Sequence, residues 1–517
     1  MTPTRRIFLN IIATYGRSLY ALVIGLFCGR WTLMALGEVD YGLLGVVGGL
    51  TAFIAFFFGI LSGAVGRFYG IAIGRSRVEA SPERGLGACR EWFSLAVTIH
   101  LFVPCVLLIV GYPLGVWAVK HYLVVPPERI SACVWVFRFV CISSLLGMVS
   151  VPFTAMYQAK QYIAELTVYS FITTTLNAGF LYFMVTHSGD WLTRYAFWTC
   201  LLSVVPNVII ACRACFIFPE CRFRMSSAWN WEKYRQMLAY TGWNTFGSLG
   251  SLLRVQGIAI LVNRFFGPAV NASMTIANSV SGQTQTLAGS LQGAFNPVIT
   301  AAVGAGDLKT VRMLALRFCK FSLILSLVFM LPLALELPMV LRLWLKTPPD
   351  YALGLCWIML LMAFVDNNTL GHGVAIMAYG KIMWYQIILG AFNLLAIPCA
   401  WLFVLLGGTV YSVGWALLIT WSLLAYGRLF FARSILQVSI RAWATQVILP
   451  VLLAILLSVS AGFVPRFVLE ENFLRVCLTT LAVEGLLLPL IWFVVLDPEE
   501  REFVRVRVRR VVCRGSA

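Results

Sequence analysis

The chain has 517 residues, 60% of them hydrophobic and only 12% charged, with a mean hydropathy of +0.86. Soluble proteins carry about 25% charged residues, so a soluble globular domain is excluded and the long apolar runs predict an all-α, polytopic membrane protein. The net charge of +18 does not point to nucleic acid, because no basic soluble segment is large enough to be a domain.

A span needs about 20 apolar residues, and about fourteen segments meet that length. A short basic start (Arg5, Arg6) leads into a long apolar run with no small-residue cleavage site. It reads as the first span and not as a removed signal. Six spans are expected at 12–36, 42–66, 93–118, 131–152, 163–186 and 191–218. Six more follow at 238–262, 272–302, 320–344, 351–378, 382–406 and 409–432, and the last two at 443–464 and 474–496.

The stretch Ser18 to Arg75 recurs, without a gap, as Ser248 to Ala305. Gly37 meets Gly267, Leu61 meets Leu291, Gly63-Ala64 meets Gly293-Ala294, and Gly74 meets Gly304. A second trace pairs Met156–Lys160 with Met377–Lys381. A constant offset through two apolar runs and their turn indicates duplication. Each half then has six spans, and an even number inserts both halves the same way up. The expected organisation is a six-helix bundle over 1–225, a second over 226–440, and helices 13 and 14 with a basic tail over 441–517.

Charge orients the chain. With the N-terminus inside, the inside segments carry 27 Lys and Arg and the outside segments eight, which predicts both termini in the cytoplasm. The longest loop, 67–92, has about 26 residues and lies inside, so no loop is a catalytic domain. The tail from Arg501 to Arg510 alternates basic and apolar residues, as an anchor on anionic headgroups would.

Catalytic motifs for acyl or phosphoryl transfer, metalloproteolysis and dinucleotide binding are not found. Fourteen Cys lie scattered, mostly in apolar runs, and four His stand apart, so neither a zinc site nor any other cofactor is expected. Gly63-x-x-Gly66 and the other glycines of helix 2 suggest close helix packing. The informative residues are polar ones inside spans. Arg17 and Arg30 lie in helix 1, Arg138 in helix 4 and Arg254 in helix 7. An Arg at a helix centre costs about 2.5–3.5 kcal/mol to insert, so it faces a bundle interior or a wet cavity. Arg30 is also placed to snorkel toward Glu38 and Asp40, and Arg138 to pair with Glu165.

On helix 8, Asn271, Asn278, Gln285 and Gln292 recur every seven residues, with Ser281 and Asn296 near the same face. Seven residues are close to two turns, so they form a polar stripe about 30 Å long. It is either interhelical glue or the wall of a transport path. Asn244, Ser248 and Ser251 add polarity to helix 7. Acids inside spans are few: Glu165, Glu336, Asp366 and Glu484. Asp366 and Glu165 are the candidates for a coupling Na+ or H+. Several Arg and few carboxylates favour an anionic substrate.

The opening Asn10–Arg17, the segment Gly29–Gly42 and the Leu36-Gly-x-x-x-Tyr-Gly42 turn resemble the multidrug/oligosaccharidyl-lipid/polysaccharide (MOP) exporter superfamily. Within it they are similar to bacterial O-antigen and capsule flippases of lipopolysaccharide biosynthesis. The resemblance implies transfer of an undecaprenyl-diphosphate-linked oligosaccharide across the cytoplasmic membrane by alternating access. Arg17 and Arg254 would hold the diphosphate, with Arg30, Arg138, Asn244, Asn278, Gln285 and Gln292 along the path. Implied partners are that anionic substrate, membrane lipid and proteins of polysaccharide assembly. The alternative is a cation-coupled multidrug exporter of the same fold, which should need an acid in helix 1, where none stands. A membrane enzyme is a third reading, disfavoured by the short outside loops.

Overall fold

In a computed structural model, residues 3–78, 82–122, 125–224, 230–345, 348–502 and 505 are described. All regular structure among them is helical. The first compact unit comprises Met1–Thr245 with Ser290–Leu308, the second Phe246–Gly289 with Lys309–Ala517. The chain-ordered helices are α1 Pro3–Val78, α2 Pro82–Trp117, α3 Ile130–Ala159, α4 Ile163–Thr186, α5 Leu192–Ile217, α6 Trp231–Phe266 and α7 Pro268–Gly304. Then come α8 Leu308–Leu335, α9 Leu337–Leu345, α10 Ala352–Asn367, α11 Leu370–Tyr379, α12 Met383–Leu405 and α13 Val410–Leu436. A short α14, Ile440–Trp443, runs through a π turn into α15, Leu449–Val468, and α16, Phe473–Leu490, closes the bundle.

Among the described residues, eleven helices are long and apolar enough to cross a membrane, and the pair α10–α11, bent by 46°, makes twelve. The expected spans outside this set are 42–66, within α1, and 272–302, within α7. The polar stripe of α7 lowers its mean hydropathy. The tail beyond Glu502 lies outside the described residues apart from Arg505, and so does most of the expected headgroup anchor.

Backbone geometry repeats where the sequence repeats. Gly37 breaks α1 with φ +72°, and its counterpart Gly267 separates α6 from α7 with φ +85°. This left-handed conformation costs any residue with a Cβ, so glycine stands at both. The second trace behaves alike: α3 ends at Ala159 and α11 at Tyr379, within one residue of the repeat offset.

Inside the first unit, α1 crosses the end of α7 at backbone distance. A Cβ on Gly74 would lie 2.0 Å from the Ala301 carbonyl, and one on Gly304 would lie 2.3 Å from the Ile71 carbonyl. Positions 71 and 301 are repeat equivalents, as are 74 and 304. The contact is therefore reciprocal, which is the signature of a two-fold relation. Gly63 and Gly66, read from the sequence as packing glycines, have open space where a Cβ would go; close approach begins at Gly70, where a Cβ would lie 2.0 Å from Thr300 Oγ1, and continues at Gly74.

In the second unit the α15–α16 hairpin is clamped along α8. Glu336, fully buried at the α8–α9 break, accepts from Arg475 Nη2 at 2.9 Å and from Thr479 Oγ1 at 2.9 Å. Midway along α8, buried Lys320 reaches Asp497 at 2.8 Å and Glu500 at 3.0 Å. Leu323, Leu331, Val451, Val483 and Leu487 fill the core between these ion pairs.

Four single substitutions test this packing through thermal unfolding in detergent. Gly74→Ala and Gly304→Ala should each destabilise by about 1–3 kcal/mol through overpacking, whereas Gly63→Ala should be neutral or stabilise by up to about 1 kcal/mol. Glu336→Ala strands a buried guanidinium and should cost about 3–5 kcal/mol; restoration of the melting temperature by Arg475→Leu in the same chain would confirm that the charge is the cause.

Candidate functional site

The polar residues of the second unit converge around Arg254. On α6, Gly247, Gly250, Arg254 and Gly257 share one face, spaced three to four residues apart. The glycines bring α12 close: a Cβ on Gly250 would lie 2.7 Å from the Gly390 Cα, and one on Gly257 2.5 Å from Ile397. The Arg on that face therefore meets α12 directly. Its Nε donates to Asn393 Oδ1 at 2.9 Å, and its guanidinium lies 4.8 Å from the ring centre of Trp421 on α13. Both partners are neutral, and a cation over an indole face is favourable.

Next to it is a buried ion pair. Arg428 of α13 reaches Asp366 Oδ1 at 2.7 Å, stands 6.0 Å from the same Trp421 ring and reaches Thr369 Oγ1 at 3.5 Å. Asp366 ends α10, where the chain breaks before α11. Around the break, Asn367 donates to Ser326 Oγ at 2.8 Å, and Trp443 Nε1 donates to the Asn368 carbonyl at 2.9 Å. A helix C-terminus is the negative end of its dipole, so a cation is well placed there. Arg428 falls within the expected span 409–432, and α13 buries it. Asn393, Trp421 and Arg428 were missed as site residues. The Gly247-x-x-Gly250 spacing ahead of Arg254 was the available signal for the first.

The remaining candidates are distributed as follows. Asn278 and Gln285 lie in the second unit; Arg17, Arg30, Arg138, Asn244 and Gln292 lie in the first. Arg17 is half-buried and Arg30 exposed, and neither forms an ion pair among the described residues. Tyr20, one turn after Arg17, bonds Thr175 Oγ1 at 2.7 Å and so ties this arm of α1 to α4. Arg30 does not take Asp40, which pairs instead with Arg129 at 3.2 Å. The side chain of Glu38 lies outside the described residues. Arg138 does not take Glu165. It donates through Nε to Tyr112 Oη at 2.7 Å and covers Trp135 at 4.7 Å, while Glu165 pairs with Arg213 of α5. Asn244 is half-buried.

The stripe on α7 separates from the packed face. Ala277, Thr284 and Leu291 are buried, each one residue, or 100° of rotation, before a stripe position, and Met274, Ser281 and Ala288 are buried three residues after one. Ser281 belongs to the packed face, donating to the Met359 carbonyl at 3.2 Å. Asn278 and Gln292 are exposed and Gln285 half-buried. None of the three makes a hydrogen bond among the described residues, so they do not act as glue between helices. The side chain of Asn271 lies outside the described residues.

Cys212 and Cys215 stand at Cys-x-x-Cys spacing on α5, both exposed. Among the described residues no group of three or more His, Cys, Asp or Glu is placed to hold a metal.

No family model matches the chain, and no curated protein matches it. Solved structures do. A multidrug resistance MATE family transporter of the MOP superfamily, in an outward-facing conformation, is 15% identical, with a TM-score of 0.70 over 84% of this chain and 96% of that one. A MOP superfamily transporter from Pyrococcus furiosus is 15% identical, with a TM-score of 0.69 over 86% of this chain and 97% of that one. A MATE protein in its straight conformation is 14% identical, with a TM-score of 0.68 over 84% and 97%. At this identity the likeness is one of fold, and the fold is that of the MATE transporters.

Asp366 and Glu165, the two coupling-ion candidates, are both held by an Arg but in different settings. Asp366→Asn leaves Arg428 buried without its counter-charge and should lower stability by about 3–5 kcal/mol. Glu165→Gln, at a pair whose Arg is half exposed, should leave the melting temperature almost unchanged.

Proposed function

We propose that this protein is a flippase. It moves an undecaprenyl-diphosphate-linked oligosaccharide from the cytoplasmic to the periplasmic leaflet by alternating access, for cell-surface polysaccharide assembly. Both termini are cytoplasmic in this reading. One observation carries it: Arg254 is enclosed by neutral partners, Asn393 and Trp421, while the neighbouring carboxylate, Asp366, is neutralised by Arg428. The group keeps one uncompensated positive charge in an apolar bundle. Such a charge gains most from an anion that arrives with its own hydrogen-bond acceptors, and a diphosphate is one.

Arg254 is the diphosphate anchor, and Arg17 has the same role on helix 1. The unbonded amides Asn278, Gln285 and Gln292 offer donors and acceptors to successive sugar hydroxyls, with Asn244 contributing from α6. The Pyrococcus furiosus neighbour has a binding pocket of reverse polarity, which suggests a different function for it, so pocket polarity varies within this fold. A cation-coupled multidrug exporter is the second reading, favoured by the multidrug resistance neighbour. It requires a carboxylate free to bind the drug or ion, and Asp366 is engaged.

The decisive measurement is translocation of lipid-linked oligosaccharide by protein reconstituted in liposomes. Losing one charge-assisted contact costs about 1.5–3 kcal/mol. Arg254→Ala should therefore lower the rate or affinity about 10- to 100-fold, Arg254→Lys less, and Arg17→Ala comparably. Export of a cationic dye that survives Arg254→Ala but is lost in Asp366→Asn would establish the second reading instead.

A further inference from the structure

Between α2 and α3, within the first unit, lies a cavity of about 530 Å³. Its wall is almost wholly apolar, formed by Gly111, Leu114, Phe137, Leu145 and Met148, with Tyr112 at its edge. Val110 and Leu114 on its rim are 57% and 60% exposed, so it opens sideways, on a face that hydrocarbon covers in a bilayer. From Pro104 to Ala118 the wall runs about 21 Å at 1.5 Å per residue.

The edge of this groove is charged. Arg138 reaches Tyr112 Oη at 2.7 Å through Nε alone, which leaves both terminal nitrogens of the guanidinium, and no carboxylate pairs with it among the described residues. Trp135, which Arg138 covers at 4.7 Å, and Trp117 are exposed. Exposed Trp at this register marks the headgroup level of a membrane. The level of Arg138 is one helical turn deeper, where a lipid phosphate meets its acyl chains.

We propose that the α2–α3 groove is a binding site for an anionic phospholipid, with one acyl chain along the apolar wall and the phosphate on Arg138. Three features select this occupant. The cation is unneutralised, so a phosphate is preferred to a neutral head. Below Tyr112, which Arg138 meets, the wall runs eight residues to Pro104, about 12 Å, close to one leaflet's share of a 30 Å hydrocarbon core, about 15 Å. Gly111 leaves the top of that wall bare, with nothing within 4 Å of its Cβ position, so a chain lies flat against the backbone. This takes Arg138 out of the substrate path and does not rest on the transport reading above.

Native mass spectrometry of the purified full chain, titrated with dioleoyl phosphatidylglycerol and separately with dioleoyl phosphatidylcholine, tests it. Wild type should retain phosphatidylglycerol in preference. Arg138→Gln should reduce that preference about tenfold, the scale of one charge-assisted contact, while still retaining some of either lipid. Gly111→Phe, which fills the groove without a clash, should reduce retention of both lipids. Unchanged elution and helicity in each variant separate these losses from misfolding. Equal retention of the two lipids by wild type, or unchanged retention in both variants, would overturn the proposal. Selective retention of undecaprenyl phosphate over phosphatidylglycerol would overturn it in favour of the transported lipid.

Discussion

The constraint on which this structure depends is the cost of an uncompensated charge in an apolar bundle. The second unit meets it by pairing buried charges of opposite sign. Glu336 is taken by Arg475, Lys320 by Asp497 and Glu500, and Asp366 by Arg428. Each pair also joins elements that hydrophobic contact alone would leave free to slide. The first two fasten the α15–α16 hairpin and the segment after it to the end and the middle of α8, so the C-terminal helices are an integral part of their unit. The third closes the break between α10 and α11 against α13. Truncating one partner of such a pair costs more than the pair gains, because a bare charge remains.

Arg254 stands apart from this pattern, since its neighbours satisfy the guanidinium by hydrogen bonding and by an aromatic face without cancelling its charge. The geometry that permits this comes from glycine. Gly250 and Gly390 let α6 and α12 approach at backbone distance, and only at that separation does Asn393 reach the guanidinium. Glycine acts similarly at the crossing of α1 and α7, where Gly74 and Gly304 each occupy the space beside the other helix's backbone. In both places the absence of a side chain positions the functional or structural contact.

The polar stripe of α7 shows how one helix separates packing from polarity. Its buried series Ala277, Thr284, Leu291 and its amides Asn278, Gln285, Gln292 run in parallel seven-residue steps, displaced by one residue. Packing is completed by the first set, and the three amides make no hydrogen bond among the described residues. A helix face of this kind is too polar for lipid and suits a wet surface.

Much of this was legible in the sequence alone. Composition and run length determined an all-helical membrane protein, because a bilayer leaves the backbone no other way to satisfy its hydrogen bonds. The constant offset located the duplication, and the glycines at 37 and 267, and at 74 and 304, carried its geometry, since a left-handed residue or a backbone crossing admits little else. The embedded Arg residues were identifiable because their insertion cost is intrinsic to the residue. Their partners were not. Arg138 was expected on Glu165 and is on Tyr112; Arg30 was expected near Asp40, which Arg129 holds. Which neutral or acidic group lies within about 3 Å of a guanidinium depends on helix rotation and crossing distance. Those are decided by packing between segments 26 to 139 residues apart in the chain, a relation that no local pattern in the chain encodes.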